Sequence, residues 1–170
     1  MLKKVIITGP ESSGKTTLCK ALSEHFNIPF TAEFARKYLE TNRLKYTQSD
    51  LLTIAEGQLQ SEKITTTNTQ IALHDTDLIT IKIWSEYKYG NCNKWILEQI
   101  EKQQAEKRFY LLCKPDITWQ ADSLRENQND RDELSEIYKK ELENSQHDYF
   151  IIKGENRTNM AIEKITLLIS

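Results

Sequence analysis

The stretch Gly9-Pro10-Glu11-Ser12-Ser13-Gly14-Lys15-Thr16 limits what this chain can fold into more than any other. It fits the phosphate-loop pattern of glycine, four residues, glycine, lysine, then serine or threonine. The apolar run Val5-Ile6-Ile7 precedes it, and Leu18, Leu22 and Phe26 recur behind it at four-residue spacing. That order of strand, loop and helix is what the motif needs. Its backbone N–H groups must be held inward around a polyphosphate, with the positive end of a helix behind them. Gly9 and Gly14 supply backbone freedom that a side chain would block. Lys15 would bring an ammonium near the β and γ phosphates, and the Thr16 hydroxyl would be a ligand for Mg²⁺. Gly9, Glu11, Ser12, Ser13, Gly14, Lys15, Thr16 and Thr17 are the nucleotide-binding candidates.

The other apolar runs are a weak one at Pro29–Thr31, then Ile71–Leu73, Phe109–Cys113 and Tyr149–Ile152. They are continuous rather than alternating, which suits strands covered on both faces. Helical patterns fill the intervals at 15–26, 34–41, 48–65, 77–88, 92–106, 130–144 and 156–169. Thr47 with Asp50, and Asp130 with Glu133, have the spacing of helix caps. The expected fold is α/β, a phosphate-loop NTPase of the nucleoside or nucleotide kinase kind. It has a five-stranded parallel sheet flanked by helices, joined by right-handed crossovers. At 170 residues the chain is expected to be one domain, since domains run to about 100–200 residues. Thr65-Thr66-Thr67-Asn68-Thr69 reads as a polar loop into the third strand.

Charged residues make up 28% of the chain and nearly cancel to a net charge of −2, which argues against a basic nucleic-acid footprint. Cys19, Cys92 and Cys113 are odd in number and lack the paired spacing of a zinc site or disulfide framework. No apolar run approaches the roughly 20 residues that span a bilayer. Met1 leads through Lys3 and Lys4 into the first strand with no room for a signal peptide. The expectation is a cytoplasmic protein with reduced thiols, without membrane or nucleic-acid partners; a homo-oligomer is left open.

In an open α/β sheet, ligands gather at the carboxyl ends of the strands. Glu33 follows the second strand, where a carboxylate could accept a proton from an attacking hydroxyl or fix a sugar. Arg36, one turn on, could pair with Glu33 or with a phosphate, or the two could form an ordinary surface bridge. The third strand ends in His74-Asp75-Thr76-Asp77. Asp75 is the candidate Mg²⁺ ligand beside Thr16, because the metal needs hard oxygens. Asp77 could cap the following helix or hold a substrate hydroxyl. His74 reads as a packed strand-end residue.

After the fourth strand, residues 115–132 form a polar segment carrying Arg125 and Arg131. A bent lid would bring both guanidinium groups over the transferring phosphate and exclude water. Trp84 shares a helical face with Ile81 and reads as core. Trp119, in the lid, would suit stacking on an aromatic or cationic ring.

Gly9 to Leu18, Glu33-Phe34-Ala35-Arg36-Lys37-Tyr38-Leu39, Asp75-Thr76-Asp77-Leu78-Ile79-Thr80 with Lys82-Ile83-Trp84, and Pro115-Asp116-Ile117 with Trp119-Gln120, Asp122 and Leu124-Arg125 carry a further signal. Together they resemble the ribosylnicotinamide kinase domain of the NadR family, across nearly the whole chain. The resemblance implies ATP- and Mg²⁺-dependent phosphorylation of nicotinamide riboside to nicotinamide mononucleotide. Lys15, Glu33, Asp75, Arg125 and Arg131 would then form the catalytic set, and Glu33, Arg36, Asp77 and Trp119 the substrate-binding set. Two alternatives stay open: a kinase of another nucleoside, and a nucleotide-dependent switch. The absence of an Asn-Lys-x-Asp stretch counts against a GTPase.

Overall fold

The computed structural model describes residues 2–43, 45–65 and 69–170. Five strands form one sheet: β1 (Lys3–Thr8), β2 (Phe30–Thr31), β3 (Ile71–Asp75), β4 (Arg108–Cys113) and β5 (Asp148–Ile152). Their order is β2-β3-β1-β4-β5, and every neighbouring pair is parallel. Among the described residues, seven helices accompany them: α1 (Lys15–Phe26), α2 (Phe34–Thr41), α3 (Gln48–Ile64), α4 (Leu78–Tyr89), α5 (Lys94–Gln103) and α6 (Arg131–Ser145) between strands, and α7 (Arg157–Ile169) after the last. All lie within a few residues of their expected positions. Of the expected polar loop at Thr65–Thr69, Thr66, Thr67 and Asn68 lie outside the described residues.

β1 is central because neither of its faces tolerates water: Val5, Ile6 and Ile7 are fully buried. Side chains alternate across a strand. Val5 and Ile7 therefore join a core with Leu18 and Leu22 of α1 and Ala161 and Ile165 of α7. Ile6 joins the opposite core, with Ile79 and Ile83 of α4 and Leu134, Tyr138 and Leu142 of α6. A third cluster packs α2, α3, α4 and α5 together through Leu39, Leu51, Ile54, Ile81 and Ile96. Thr47 and Asp50 form the expected capping box on α3.

Beneath the β3–α4 turn lies a charge cluster that the sequence does not disclose. Arg108 is buried and donates to Asp77 (3.0 Å) and to Glu62 (2.8 Å), and Tyr110 donates to Asp77 (2.7 Å). Opposed charges this deeply buried persist only when each is paired. His74 is buried beside Thr31, and burial pushes its pKa down to about 3, so the ring is neutral. Cys19 and Cys113 are buried free thiols, and burial lifts Cys113 to about 11. Among the described residues, no helix is long and apolar enough to cross a membrane.

Candidate active site

The phosphate loop closes β1 by passing very near the end of β4. A Cβ on Gly9, at φ 138°, would fall 2.5 Å from the Cys113 carbonyl oxygen, so only glycine fits. Gly14, at φ 82°, is the N-cap of α1 and turns the chain so that the helix amino end faces the loop. Ser13 donates to the Pro10 carbonyl (2.7 Å), and so does the Lys15 ammonium (2.8 Å). Arg157, the first residue of α7, braces the same turn by donating to the Ser13 (2.7 Å) and Lys114 (2.8 Å) carbonyls and pairing with Asp116. Sequence reading overlooked it. The rule that ligands gather at strand carboxyl ends applies to β5 too, and Gly154 to Arg157 follow that strand.

Asp75 ends β3 beside this loop. Its Oδ2 accepts from Thr16 Oγ1 (2.7 Å), whereas Oδ1 is buried without a partner among the described residues. Burial raises the Asp75 pKa, and the Thr16 hydroxyl and Lys15 ammonium hold it part of the way back. An unpaired, desolvated carboxylate oxygen beside a threonine hydroxyl is a hard-oxygen donor pair, and these residues fit Mg²⁺. Thr76, at φ 68°, adopts a conformation uncommon for a β-branched residue. That kink separates Asp75, at the strand end, from Asp77, which turns into the protein.

Loop and lid face a cavity of about 480 Å³. Glu33 forms part of its wall. It precedes α2 but makes no side-chain cap bond, which leaves the carboxylate turned to the cavity. Burial raises its pKa, with Lys15 pulling the other way. Thr80, Ile83, Trp84, Tyr87 and Lys88 of α4, with Leu134 and Tyr138 of α6, complete the far wall.

Several sequence expectations change here. Asp77 is fully buried, accepts from the Ile79 amide (3.0 Å) and is bound to Arg108 and Tyr110, so it caps α4 and does not hold substrate. Arg36 lines the cavity but pairs with Asp122 of the lid (3.1 Å), not with Glu33. Trp84 packs partly buried against the third cluster and also lines the cavity, where periodicity alone put it in the core. Trp119 is not in the cavity wall; its ring lies under the guanidinium groups of Arg125 (6.0 Å) and Arg131 (5.4 Å). The cation–π pairing that suggested a ligand is met by the lid's own arginines.

Residues 114–130, between β4 and α6, contain no helix and fold back onto the phosphate loop. Gln120 N donates to Ser12 Oγ (3.0 Å). Arg131 opens α6 and donates to the Ser12 (3.0 Å) and Ile117 (3.2 Å) carbonyls, so it ties lid to loop without reaching the cavity. Arg125 does line the cavity. Glu11 lines the cavity and accepts from the lid amides of Glu126 (3.0 Å) and Asn127 (2.8 Å).

The family model described as "AAA domain" matches residues 4–158, which takes in the phosphate loop, β3 and the whole lid. The chain belongs to that AAA domain family. This AAA domain is 23% identical over 175 residues to the "Trifunctional NAD biosynthesis/regulator protein NadR" of Escherichia coli strain K12. The match covers 98% of this chain and 42% of the relative. The chain thus spans less than half the length of that curated relative. Among solved structures it superposes on a NadR protein in complex with NR at a TM-score of 0.75 and 23% identity, over 99% of this chain and 52% of that one. It superposes on a NadR protein in complex with NAD and AMP-PNP at 0.72 and 22%, over 98% and 49%. With a deoxyadenosine kinase from M. mycoides the score is 0.59 at 11% identity, over 96% and 99%. At these identities the shared property is the fold.

Proposed function

We propose that the chain transfers the γ-phosphoryl group of ATP to the 5′-hydroxyl of nicotinamide riboside, forming nicotinamide mononucleotide and ADP, as a cytoplasmic step of NAD salvage. The observation that carries this reading is the cavity itself. A phosphate loop with its lysine forms one wall, and a free, desolvated carboxylate and an indole face it from the other side. The likeness to NadR proteins, one in complex with NR and one with NAD and AMP-PNP, supports both ligands.

Loop amides and Lys15 bind the nucleotide's terminal phosphates, and Arg125 offsets charge there as the group moves. Thr16 and Asp75 would hold Mg²⁺, which would supply positive charge to offset that of the phosphates during transfer. Glu33 orients the acceptor hydroxyl and takes its proton. Because the transition state is largely dissociative, positioning and charge neutralisation outweigh base strength. Trp84 offers a flat face to the acceptor's ring.

The deoxyadenosine kinase likeness favours a second reading, transfer to a different nucleoside. Product analysis with Mg·ATP and a panel of ribosides separates the two. Preferred conversion of nicotinamide riboside to its 5′-phosphate, with one ADP per product, is the expected result. Preferred conversion of adenosine or deoxyadenosine moves the assignment to the second reading, and slow ATP hydrolysis indifferent to every riboside removes both.

A further inference from the structure

The phosphate loop and the acceptor wall meet at one lid residue, Glu126. Its backbone N–H donates to Glu11 of the loop (3.0 Å). Its carboxylate accepts from the Tyr46 hydroxyl (2.8 Å) and from Lys88 (3.1 Å) on the opposite side of the cavity. Tyr46 sits in the connection between α2 and α3. Its hydroxyl also accepts from Trp84 Nε1 (3.0 Å) and from Lys88. Its ring stands edge-on to Trp84, with centroids 4.9 Å apart, and the Lys88 ammonium lies 4.2 Å from its ring centroid.

One exposed ion pair would contribute little. Here the phenol is saturated, with one donor and two accepted bonds, and the network ties four separate segments of chain together. Lys88 and Trp84 stand one turn apart on α4 and both line the cavity, so whatever holds the lid also fixes the orientation of the indole.

We propose that Tyr46, Lys88 and Glu126 are positioning residues that latch the lid across both halves of the site, so that the acceptor hydroxyl, and not water, receives the phosphoryl group. This rests on the kinase reading above. In transfer, the acceptor oxygen bonds to the γ-phosphorus while the bond from that phosphorus to the β–γ bridging oxygen breaks. ADP leaves with the electron pair, and the hydroxyl proton passes to Glu33. When water takes the acceptor's place, the same exchange yields ADP and inorganic phosphate. A seated lid shuts water out of the chamber, and a loosened one admits it.

The test measures ADP and phosphorylated riboside in the same reaction for the wild-type protein, Y46F and E126Q. Both variants are expected to release about threefold more ADP per product and to raise the acceptor KM several-fold, with the KM for Mg·ATP nearly unchanged. Single variants K88E and E126K should uncouple in the same way, and the double variant should recover wild-type coupling, which a merely structural role would not restore. Unchanged coupling and KM in Y46F and E126Q overturn the latch, as does a double variant no better than its parents. Riboside phosphorylation by the wild-type protein reads the kinase assignment separately. A second measurement is independent of any acceptor. With Mg²⁺ and AMP-PNP present, trypsin should cut after Arg125 about fivefold faster in Y46F than in wild type, and equal rates overturn the latch.

Discussion

The two halves of the site are built in opposite ways. The nucleotide half is eight consecutive residues, Gly9 to Thr16, that run from the end of β1 into the first turn of α1, and its shape follows from two glycine positions and a helix amino end. The acceptor half draws Glu33 and Arg36 from the start of α2, Trp84 and Lys88 from α4, Leu124 and Glu126 from the lid and Tyr138 from α6. A contiguous loop carries its own geometry wherever the sheet places it. A convergent wall exists only as well as its parents pack. Damage to the first should therefore remove chemistry and spare the rest, whereas damage to the packing of the second should reach binding from a distance.

The sharpest way to break this contrast is Lys15→Ala. The side chain's hydrogen-bond partner is a carbonyl of its own loop, so the fold should not depend on it. Phosphoryl transfer is expected to fall by about 100- to 1,000-fold, the loss that follows removal of one preorganised donor. The melting temperature and riboside affinity, measured by calorimetry, should stay at wild-type values. A large loss of riboside affinity would mean that the two halves are not separable.

The same contrast governs what could be read from the residues alone. The phosphate loop and the continuous run of β1 are local patterns, and Asp75 follows from its place after a buried strand. The acceptor wall is not local. Trp84 repeats with Ile81 as a core residue would, and only the tertiary packing shows that it also lines the cavity beside Tyr46. Asp77 looks like a second site acid until Arg108 and Tyr110, from a strand about thirty residues later, are seen to claim it. Trp119 sits in a polar segment, yet its partners are Arg125 and Arg131, which a linear reading places apart. Pairings between distant segments leave no periodicity to find.

Gly57→Ala tests the acceptor half from outside the cavity. A Cβ there would fall 2.2 Å from the Phe34 ring, and Phe34 N donates to the neighbouring Gln58 Oε1 (2.9 Å). Phe34 opens α2 directly behind Glu33, so displacing the ring shifts the start of that helix. Alanine favours a helix by about 1 kcal/mol over glycine. Overpacking costs about 1–3 kcal/mol, so the net effect is modest destabilisation. The melting temperature should fall by roughly 2–4 °C per kcal/mol. Steady-state kinetics should show a raised acceptor KM and an unchanged KM for Mg·ATP. Equal rises in both would erase the distinction between the halves.

Glu33→Gln should have the smallest effect on rate and is the most informative about how stability relates to function. Burial holds the Glu33 carboxyl above the ordinary carboxylate range, so the folded state binds its proton more tightly than the unfolded chain does. Its ionisation therefore costs stability progressively as pH rises through and above that range. Glutamine carries no charge, so the variant should melt higher than wild type at pH 7, with the difference fading below about pH 4. Turnover should drop only about tenfold, because a dissociative transition state asks little of a base. The wild-type kcat/KM profile should carry an acid limb displaced upward from the ordinary carboxylate range, and the variant should lack it. A variant with wild-type turnover and the same limb would move proton transfer away from Glu33, while a variant that melts lower at pH 7 would mean that the carboxylate is bound by the fold and not held ready for an acceptor.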